Sequence, residues 1–216
     1  SGHTVSLPTN TQKVSFSDGV ATVNLWEYPA YRRTKGVKGT AFDAFLAYVI
    51  PDEAERTVFL NWLAWSLKHE EQKPRWAVML YSQKQGTGKT VLTELVKDLF
   101  GVANTSRING VRQLVARFNK EVLQHKLVIV EEIEVKKGSK EANQVKSLIT
   151  EDSTTVEAKG LPSSVENINC AFLLTTNNLP TWLEEADRRF FILNFDHEGY
   201  NNGGKDYEKF VGLVKD

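Results

Sequence analysis

The sequence predicts an α/β domain of three layers, in which a central, mostly parallel sheet lies between helices. Apolar runs of strand length occur at 76–81, 127–130 and 171–175, and they lack the alternation of a half-exposed strand. Such runs are typical of strands that are buried on both faces. Segments with apolar residues at helical spacing, such as 90–100, lie between the runs. Strands that alternate with helices indicate a three-layer α/β domain.

The composition is that of a globular domain without a membrane span. The chain has 216 residues, of which 41% are apolar, and 27 Lys and Arg balance 27 Asp and Glu. The zero net charge excludes a protein that binds through a bulk positive field, but it permits a local basic groove. No apolar run approaches the roughly 18 residues that a spanning helix needs, so we expect no membrane partner. The chain begins without Met or an apolar leader, and we expect it to be a piece of a longer protein.

The cysteine and histidine residues predict neither a disulfide nor a metal site. Cys170 is the one cysteine, so no internal disulfide can form, and we expect it to be an inert core thiol. This usage fits a reducing, cytoplasmic compartment. The four His residues lack the spacing of metal ligands, so we assign them no chemistry.

The predicted elements fall into four regions. The segment 1–39 is rich in Thr, Ser, Gly and Lys and is expected to be irregular, with loops and a minor hairpin. The region 40–72 is a small, mainly helical lead-in, in which Pro51 separates two helices. The region 73–198 is the core of the domain, and 199–216 is a polar tail.

The apolar pattern also predicts the helices and strands of the core that follow the first strand and helix. A helical stretch is predicted near 111–118, and another helix over 141–150. A β-rich stretch over 154–169 leads into the strand at 171–175. The last strand is predicted over 190–195.

The tryptophans are predicted to be structural where their setting is clear. Trp62 and Trp65 lie in a helical pattern and Trp76 starts a buried strand, so we expect core packing rather than base stacking. Trp26 and Trp182 fit either role.

A glycine-rich segment joins the first core strand to the following helix. It reads Q-K-Q-G-T-G-K-T over 83–90, and it misses the pattern G-x-x-x-x-G-K-[ST] at the first glycine, where Gln83 stands. Backbone N–H groups of such a loop and the helix N-terminus can hold phosphate oxygens. Lys89 can bind the β and γ phosphates, and Thr90 can ligate magnesium. The predicted nucleotide-binding residues are Gln85, Gly86, Thr87, Gly88, Lys89 and Thr90.

Two carboxylates follow the apolar run at 127–130. The carboxyl edge of an open α/β sheet is where ligands bind, so Glu131 and Glu132 are expected there. Glu131 can hold the magnesium shell, and Glu132 can orient the attacking water. The first position is usually Asp, and the alternative is a strand that ends in ordinary solvated acids.

Two further motifs complete the candidate site. Asn177 follows the run at 171–175, and its neutral amide can hydrogen-bond the γ-phosphate and the water. Arg188 and Arg189 precede the last strand, and a guanidinium suits the charge of a phosphoryl transition state. The alternatives are a simple turn at Asn178 and a surface arginine pair that anchors a strand.

In order and spacing, these segments resemble the superfamily 3 helicase domain of the AAA+ class, in the branch attached to phage and plasmid primases and primase–polymerases. The resemblance covers roughly 42–195. The loop is similar to the Q-G-T-G-K-[ST] form of Walker A in that branch, and Glu131 with Glu132 is similar to its Walker B acids. The resemblance implies a P-loop NTPase fold with ATP and Mg²⁺ as ligands.

The same resemblance implies roles for residues outside the loop. Asn177 matches the sensor Asn of motif C, and Arg188 and Arg189 match the position of an arginine that acts on the neighbouring subunit. The family carries a helix and a channel hairpin at the position of 146–167, and this stretch would touch single-stranded DNA. Its candidate DNA-binding residues are Lys146, Lys159 and Gly160. The alternative is a surface hairpin with a solvated lysine that has no role in DNA binding.

The first hypothesis is an ATP-dependent DNA helicase or translocase domain of a phage or plasmid primase–polymerase. It implies a ring, expected to be a hexamer, together with single-stranded DNA and an upstream primase–polymerase domain of the same chain as partners. The second is a degenerate helicase-fold module that binds nucleic acid or oligomerises with weak or no ATP turnover, and Gln83 and Glu131 motivate it. A third, a small-molecule kinase, explains the loop but not the order of Asn177 and the arginines.

Overall fold

The computed structural model describes residues 2–5, 12–33, 35, 41–116, 119–156 and 162–196. Its strands are β1 (Gly2–Val5), β2 (Val14–Ser17), β3 (Val20–Asn24), β4 (Ala77–Tyr81), β5 (Thr105–Asn109), β6 (Leu127–Glu131), β7 (Ser153–Val156), β8 (Ser164–Asn167), β9 (Ala171–Thr176) and β10 (Phe190–Asn194). Its helices are α1 (Ala41–Val49), α2 (Glu53–Lys68), α3 (Lys89–Phe100), α4 (Lys120–Leu123) and α5 (Lys140–Thr150).

A five-stranded sheet in the order β10-β4-β9-β6-β5 forms the centre, and every neighbouring pair in it is parallel. Strands β4 and β9 are buried along their whole length, and β6 is buried up to Glu131. This confirms the prediction of a parallel sheet with strands buried on both faces. Strand β5 was not predicted, because its sequence T-S-R-I-N is polar, which an edge position allows.

Helices cover both faces of the sheet and complete three layers. The core between the sheet and helices α1, α2 and α3 includes Phe45, Phe59, Trp62, Leu80, Leu92, Ile129 and Leu173. The core on the opposite face, below α5, includes Met79, Val128, Val130, Val145, Ile149, Phe172 and Leu174. Alternate residues of each central strand therefore enter opposite cores, as strand geometry requires. The predicted three-layer α/β fold is confirmed.

Local chemistry sets the ends of the longer helices. Asp52 precedes α2, and its side chain accepts a hydrogen bond from the Glu55 N–H. The Ser139 side chain accepts from the Ala142 N–H in the same way at the start of α5. Helix α3 ends at Gly101, whose φ of 88° favours glycine.

The segment predicted as a helix near 111–118 is not a helix over its described part, 111–116, which forms turns. A hydrogen bond from Val115 N–H to the Val111 carbonyl closes one turn, and this buries Val111 and Leu114. The apolar spacing that suggested a helix therefore reflects a single turn. The helix of this region, α4, begins later.

A small sheet occupies part of the range 1–39 that was expected to be irregular. Strands β2 and β3 form the expected hairpin, and β1 pairs in parallel with β3. Asp18 and Gly19 connect the hairpin with φ of 50° and 75°, the conformation that a two-residue turn requires. The Asn104 side chain ties this region to the core through hydrogen bonds to the Glu27 N–H and carbonyl. The domain boundaries themselves stay predictions.

The tryptophans divide between core and surface. Trp62 is buried, Trp76 is half-buried, and Trp26 and Trp182 are also buried. Trp65 differs from its predicted core position, since it is 36% exposed. It lies near the end of α2, and its ring is 4.8 Å from the His69 ring. The helical pattern places Trp65 on the correct element but not on the buried face.

Cys170 is fully buried, as predicted for a core thiol. Burial raises the pKa of the thiol to about 12, so the side chain stays protonated at neutral pH. The protonated thiol is the unreactive form.

Candidate nucleotide-binding site

A loop over 82–88 connects β4 to α3, as the glycine-rich motif predicts. Gly86 and Gly88 have φ of 71° and 96°, in the left-handed region that side chains disfavour. Thr87 and Gly88 are buried, whereas Gln85 and Gly86 are exposed. The loop therefore turns into the N-terminus of a 12-residue helix, whose free N–H groups favour anions.

Gln83 occupies the position of the missing first glycine without backbone strain. Among the described non-glycine residues, positive φ occurs at Asp18 and Glu132 and not at Gln83. The Gln83 N–H donates to Asp196 Oδ2 at 3.1 Å. The departure from the motif is therefore compatible with an ordinary backbone conformation.

Lys89 is the first residue of α3 and is half-buried beside the loop. Its Nζ lies 3.4 Å from the Ser82 carbonyl oxygen. Burial lowers the pKa of Lys89, and the negative charge of Asp196 partly offsets this. Thr90, the predicted magnesium ligand, is exposed in the first turn of the same helix.

The two carboxylates follow each other at the end of β6 and differ in their surroundings. Glu131 Oε1 lies 2.6 Å from Arg107 on β5, and Arg107 also pairs with Glu94 on α3. Glu132 is exposed and has a φ of 51°, while its N–H donates to Thr175 Oγ1 at 3.2 Å. A left-handed glutamate is costly, and such strain concentrates at functional sites.

Asn177 follows β9 directly and is half-buried. The chain turns at this point, where the Asn178 N–H donates to Thr176 Oγ1 at 3.1 Å. The Asn178 side chain donates to Glu134. The turn predicted for Asn178 is therefore present, and Asn177 is placed beside the strand end.

Parallel pairing brings these segments to one edge of the sheet. Strand β4 lies between β10 and β9, and β9 lies beside β6. The Ser82 N–H donates to the Thr176 carbonyl, and the Ile133 N–H donates to the Thr175 carbonyl. The loop, Asn177 and the two carboxylates thus follow neighbouring strands at their carboxyl ends, where open α/β sheets bind ligands.

The arginine pair lies at the opposite edge, before β10. Arg189 donates to Asp187 through Nε at 2.7 Å and Nη2 at 2.9 Å. Lys146 Nζ lies 3.5 Å from the same carboxylate, whose side chain is 2% exposed. Arg188 is exposed. A five-residue strand spans about 16 Å, so Arg188 is remote from the loop of its own chain.

Of the predicted DNA-binding residues, the structure describes Lys146 but not Lys159 or Gly160. Lys159 and Gly160 lie outside the described residues, between β7 and β8, which pair in antiparallel fashion. Lys146 is on α5 with a side chain that is 10% exposed, and its ammonium faces Asp187. A buried and paired ammonium presents little charge to a phosphate backbone, and the contact of Lys146 with DNA stays a prediction.

A family model described as a family of unknown function, DUF5906, matches residues 80–189, which is about half of the chain. The chain belongs to the DUF5906 family. The range that matches DUF5906 begins within β4 and ends at Arg189. It includes the loop, both carboxylates, Asn177 and the arginine pair, but not Asp196.

Two comparisons connect this DUF5906 chain to one phage protein. The DNA primase-polymerase of Nitratiruptor phage NrS-1 is 25% identical over 218 residues, covering 92% of this chain and 30% of that protein. An apo structure of the NrS-1 C-terminal region, residues 305–718, has a TM-score of 0.73 and 22% identity, and the match covers 98% of this chain and 51% of that one. The chain therefore corresponds to about a third of the curated relative, and it is homologous to the C-terminal region of that protein. This confirms the resemblance to a phage primase–polymerase.

Another apo structure of the NrS-1 C-terminal region gives a TM-score of 0.73 with 21% identity, and the match covers 98% of this chain and 52% of that one. A JCV helicase structure matches at a TM-score of 0.45 and 15% identity, over 72% of this chain.

Three residues that contact the predicted site residues or the loop are missing from the sequence predictions. They are Arg107, which contacts Glu131; Asp187, which holds Arg189; and Asp196, which contacts the loop. Arg107 lies on the strand that the apolar pattern does not reveal. Asp196 follows the last strand at the carboxyl edge, and that position is a signal that could have identified it.

A groove of about 740 Å³ lies at the amino edge of the sheet, where Trp65, Trp76 and Arg75 contribute to its wall. Within the described ranges, no cluster of three or more His, Cys, Asp or Glu side chains could hold a metal ion. The helices in these ranges are also too short or too polar to cross a membrane.

Proposed function

We propose that this chain is the ATP-dependent DNA helicase or translocase domain of a phage-type or plasmid-type primase–polymerase, working in the host cytoplasm. The observation that carries this proposal is the meeting of the loop, two carboxylates and Asn177 at one edge of a parallel sheet. The similarity to the C-terminal region of the NrS-1 primase-polymerase supports it. The primase–polymerase part of a longer chain is then the natural partner.

The loop is suited to the phosphates of ATP. Gly86 and Gly88 leave its backbone free of side chains at the turn into α3, and Lys89 supplies a positive charge beside it. In the proposed mechanism the loop N–H groups and Lys89 bind the β and γ phosphates. Gln85 and Thr87 contribute backbone donors, and Asn177 contacts the γ-phosphate and the attacking water.

The remaining groups fit a magnesium ion with a partly retained water shell. Mg²⁺ prefers oxygen ligands and takes one or two carboxylates. Thr90 and Glu131 offer these oxygens, and Arg107 pairs with Oε1 of Glu131. When bound, the ion neutralises charge on the phosphates. Glu132 is exposed beside this pair and accepts the proton of the attacking water in the proposed mechanism.

Arg188 is proposed as the arginine that acts on a neighbouring subunit. It is exposed, whereas Arg189 is held by Asp187 in the same chain. Its position at the edge opposite the loop means that it can serve only the nucleotide of another copy. A ring, proposed as a hexamer, supplies that copy at each interface.

The hairpin of β7 and β8 is proposed to follow one DNA strand as ATP is hydrolysed. Its connection contains Lys159 and Gly160, and its two arms pair over four residues each. A lysine at such a position attracts the phosphate backbone, with an affinity that falls as salt rises. DNA is the proposed polymer because the homologous protein is a DNA primase-polymerase.

One observation favours the alternative of a helicase-fold module with weak or no turnover. The ion pair between Arg107 and Glu131 occupies part of the carboxylate that magnesium needs. In that case the chain would serve oligomerisation or nucleic-acid binding. The two functions differ in whether DNA stimulates ATP hydrolysis.

The deciding experiment measures ATP hydrolysis by the full chain with and without single-stranded DNA. Lys89→Ala serves as the blank, and Lys68→Ala, at an exposed lysine at the end of α2, is the control. We expect turnover that DNA stimulates, that Lys89→Ala abolishes and that Lys68→Ala retains. Turnover equal to the blank in a sample that sizes as a ring would reject the motor and support the alternative.

A mixing experiment tests the assignment across subunits. In the proposed mechanism Lys89→Ala chains lack a hydrolysing site of their own but carry the arginine, and Arg188→Ala chains show the reverse. If the arginine acts on the next copy, mixed rings of two inactive variants regain part of the activity. Mixtures as inactive as either variant alone, with mixing shown by sizing of tagged chains, would reject it.

A further inference from the structure

We propose that Asp196 is a positioning residue that holds the first half of the loop in its phosphate-binding shape, where the motif usually has a glycine. The role of the loop as a nucleotide site is the proposed function, and this inference rests on it. Asp196 lies beyond the range that the DUF5906 model matches.

The contacts of Asp196 use both carboxylate oxygens. Oδ1 lies 2.8 Å from the Ser82 hydroxyl and accepts the Lys84 N–H at 3.1 Å. Oδ2 accepts the Gln83 N–H at 3.1 Å. Two consecutive backbone donors and one hydroxyl therefore face one side chain. Hydrogen bonds to a charged acceptor are stronger than neutral ones.

The carboxylate is fixed on a rigid part of the fold. It follows β10, which pairs with β4 in the register Asn194↔Tyr81. The Phe195 N–H donates to the Tyr81 carbonyl at 2.7 Å, and the Asp196 N–H donates to Asn194 Oδ1 at 2.9 Å. The strand pair that leads into the loop thus also carries the residue that holds it.

The loop needs such a contact because its first half is exposed. Gln83, Lys84, Gln85 and Gly86 are all exposed, so water competes for their backbone groups. Preorganised donors bind an anion without paying to order the loop at that moment. Fixing the first half of the loop therefore helps to hold the N–H groups of its second half in the orientation that binds phosphate.

Asp196 also affects Lys89 and the charge of the site. Burial by itself raises the pKa of Asp196, but the hydrogen bonds from Lys84, Gln83 and Ser82 outweigh this and lower it, so the group is ionised at neutral pH. Its charge raises the pKa of Lys89 against the effect of burial. A negative charge at this place repels phosphate. The direction in which a substitution changes nucleotide affinity therefore distinguishes a positioning role from an effect of charge.

Asp196→Asn separates positioning from charge. The shape is kept and the repulsion is removed, so a residue that acted only through its charge would bind nucleotide more tightly after the change. An amide has one oxygen, and its NH₂ group faces an N–H donor, so it cannot hold both Gln83 and Lys84. We expect Asp196→Asn to bind a fluorescent ADP analogue with magnesium more weakly, with a dissociation constant about tenfold higher than that of the wild type.

The control is Asp98→Asn, which removes the same charge from an exposed site on α3. Ser82→Ala removes one partner of Asp196, and we expect its effect to be less than additive with Asp196→Asn. In steady-state hydrolysis, Asp196→Asn is expected to raise KM for ATP and to leave kcat within about twofold, because the loop contacts the phosphates in the ground state and the transition state alike. Unchanged or tighter binding by Asp196→Asn would overturn the proposal.

Amide hydrogen exchange of the nucleotide-free chain makes the test independent of the proposed function. We expect the Gln83 and Lys84 amides to exchange faster in Asp196→Asn and not in Asp98→Asn. Equal exchange in all three proteins would overturn the positioning role. If the wild type binds no nucleotide while this difference is present, the proposed function fails and the role of Asp196 in shaping the loop stands.

Discussion

Asp187 accepts two hydrogen bonds from the guanidinium of Arg189 and leaves its neighbour Arg188 exposed. The Arg189 N–H donates to the same carboxylate, and Lys146 lies 3.5 Å from it. Burial by itself raises the pKa of Asp187, but Arg189 and Lys146 outweigh this and lower it. One arginine of the pair thus stabilises the fold, and the other is available to a neighbouring molecule.

Arg188→Ala and Arg189→Ala are expected to affect different properties, activity in the first and stability in the second. Arg188→Ala should lower ATP turnover about a thousandfold in the assembled ring and leave urea unfolding unchanged. Arg189→Ala should lower the free energy of unfolding by about 2 kcal/mol, because the buried Asp187 loses a charged partner. A stable Arg189→Ala protein with no turnover, beside an active Arg188→Ala protein, would reverse the assignment.

Glu131 and Glu132 are expected to separate magnesium binding from water activation. Glu131→Gln should raise the Mg²⁺ concentration for half-maximal turnover, since a carboxylate ligand is lost. Glu132→Gln should leave the dissociation constant for ATP within about twofold and lower kcat at least a hundredfold. Equilibrium binding and magnesium titrations give both quantities. Loss of ATP binding in Glu132→Gln would contradict its proposed role.

Lys146 and Lys159 are expected to differ in the salt dependence of DNA binding. Lys159→Ala should reduce the slope of log affinity against log salt by about 0.7, the value for one phosphate contact on a single strand. Lys146→Ala should leave that slope unchanged, because its ammonium faces Asp187. Fluorescence anisotropy with an oligonucleotide at several salt concentrations measures the slope. A reduced slope in Lys146→Ala would show that its ion pair opens to DNA.

Lys126 is expected to make stability depend on alkaline pH. Its ammonium donates to the carbonyls of His69 at 3.0 Å and Asn169 at 3.2 Å, and also to Gln72. Burial lowers the pKa of Lys126 from 10.5 to about 8. Between these values the unfolded chain binds more protons than the native one, so this group makes the native state more stable as pH rises.

The stability of the wild type relative to Lys126→Met should therefore rise by about 2 kcal/mol from pH 7 to pH 10. Urea unfolding at a series of pH values measures this difference. The control is Lys68→Met, which removes the same charge from an exposed lysine at the end of α2. A constant difference for Lys126→Met would show that the pKa of Lys126 is not lowered in the native state.

The sequence pattern predicts the elements correctly where their buried faces are continuous. Strands β4, β6 and β9 are apolar throughout because both faces are covered, and α3 and α5 carry clear apolar faces. Strand β5 has one buried residue, Ile108, and its polar sequence concealed it. The 111–116 segment shows the converse, because one turn can bury residues at helical spacing.

The sequence by itself determined the three-layer architecture and the motifs of the candidate site, because hydrophobic period and glycine position are local properties of the chain. Tertiary structure decided which charged residues are paired. Arg107 reaches Glu131 across neighbouring strands, and Asp196 reaches the loop from β10, over more than 100 residues of chain. Parallel pairing creates these contacts at one edge of the sheet, and no local pattern encodes the distance between two residues so far apart in sequence.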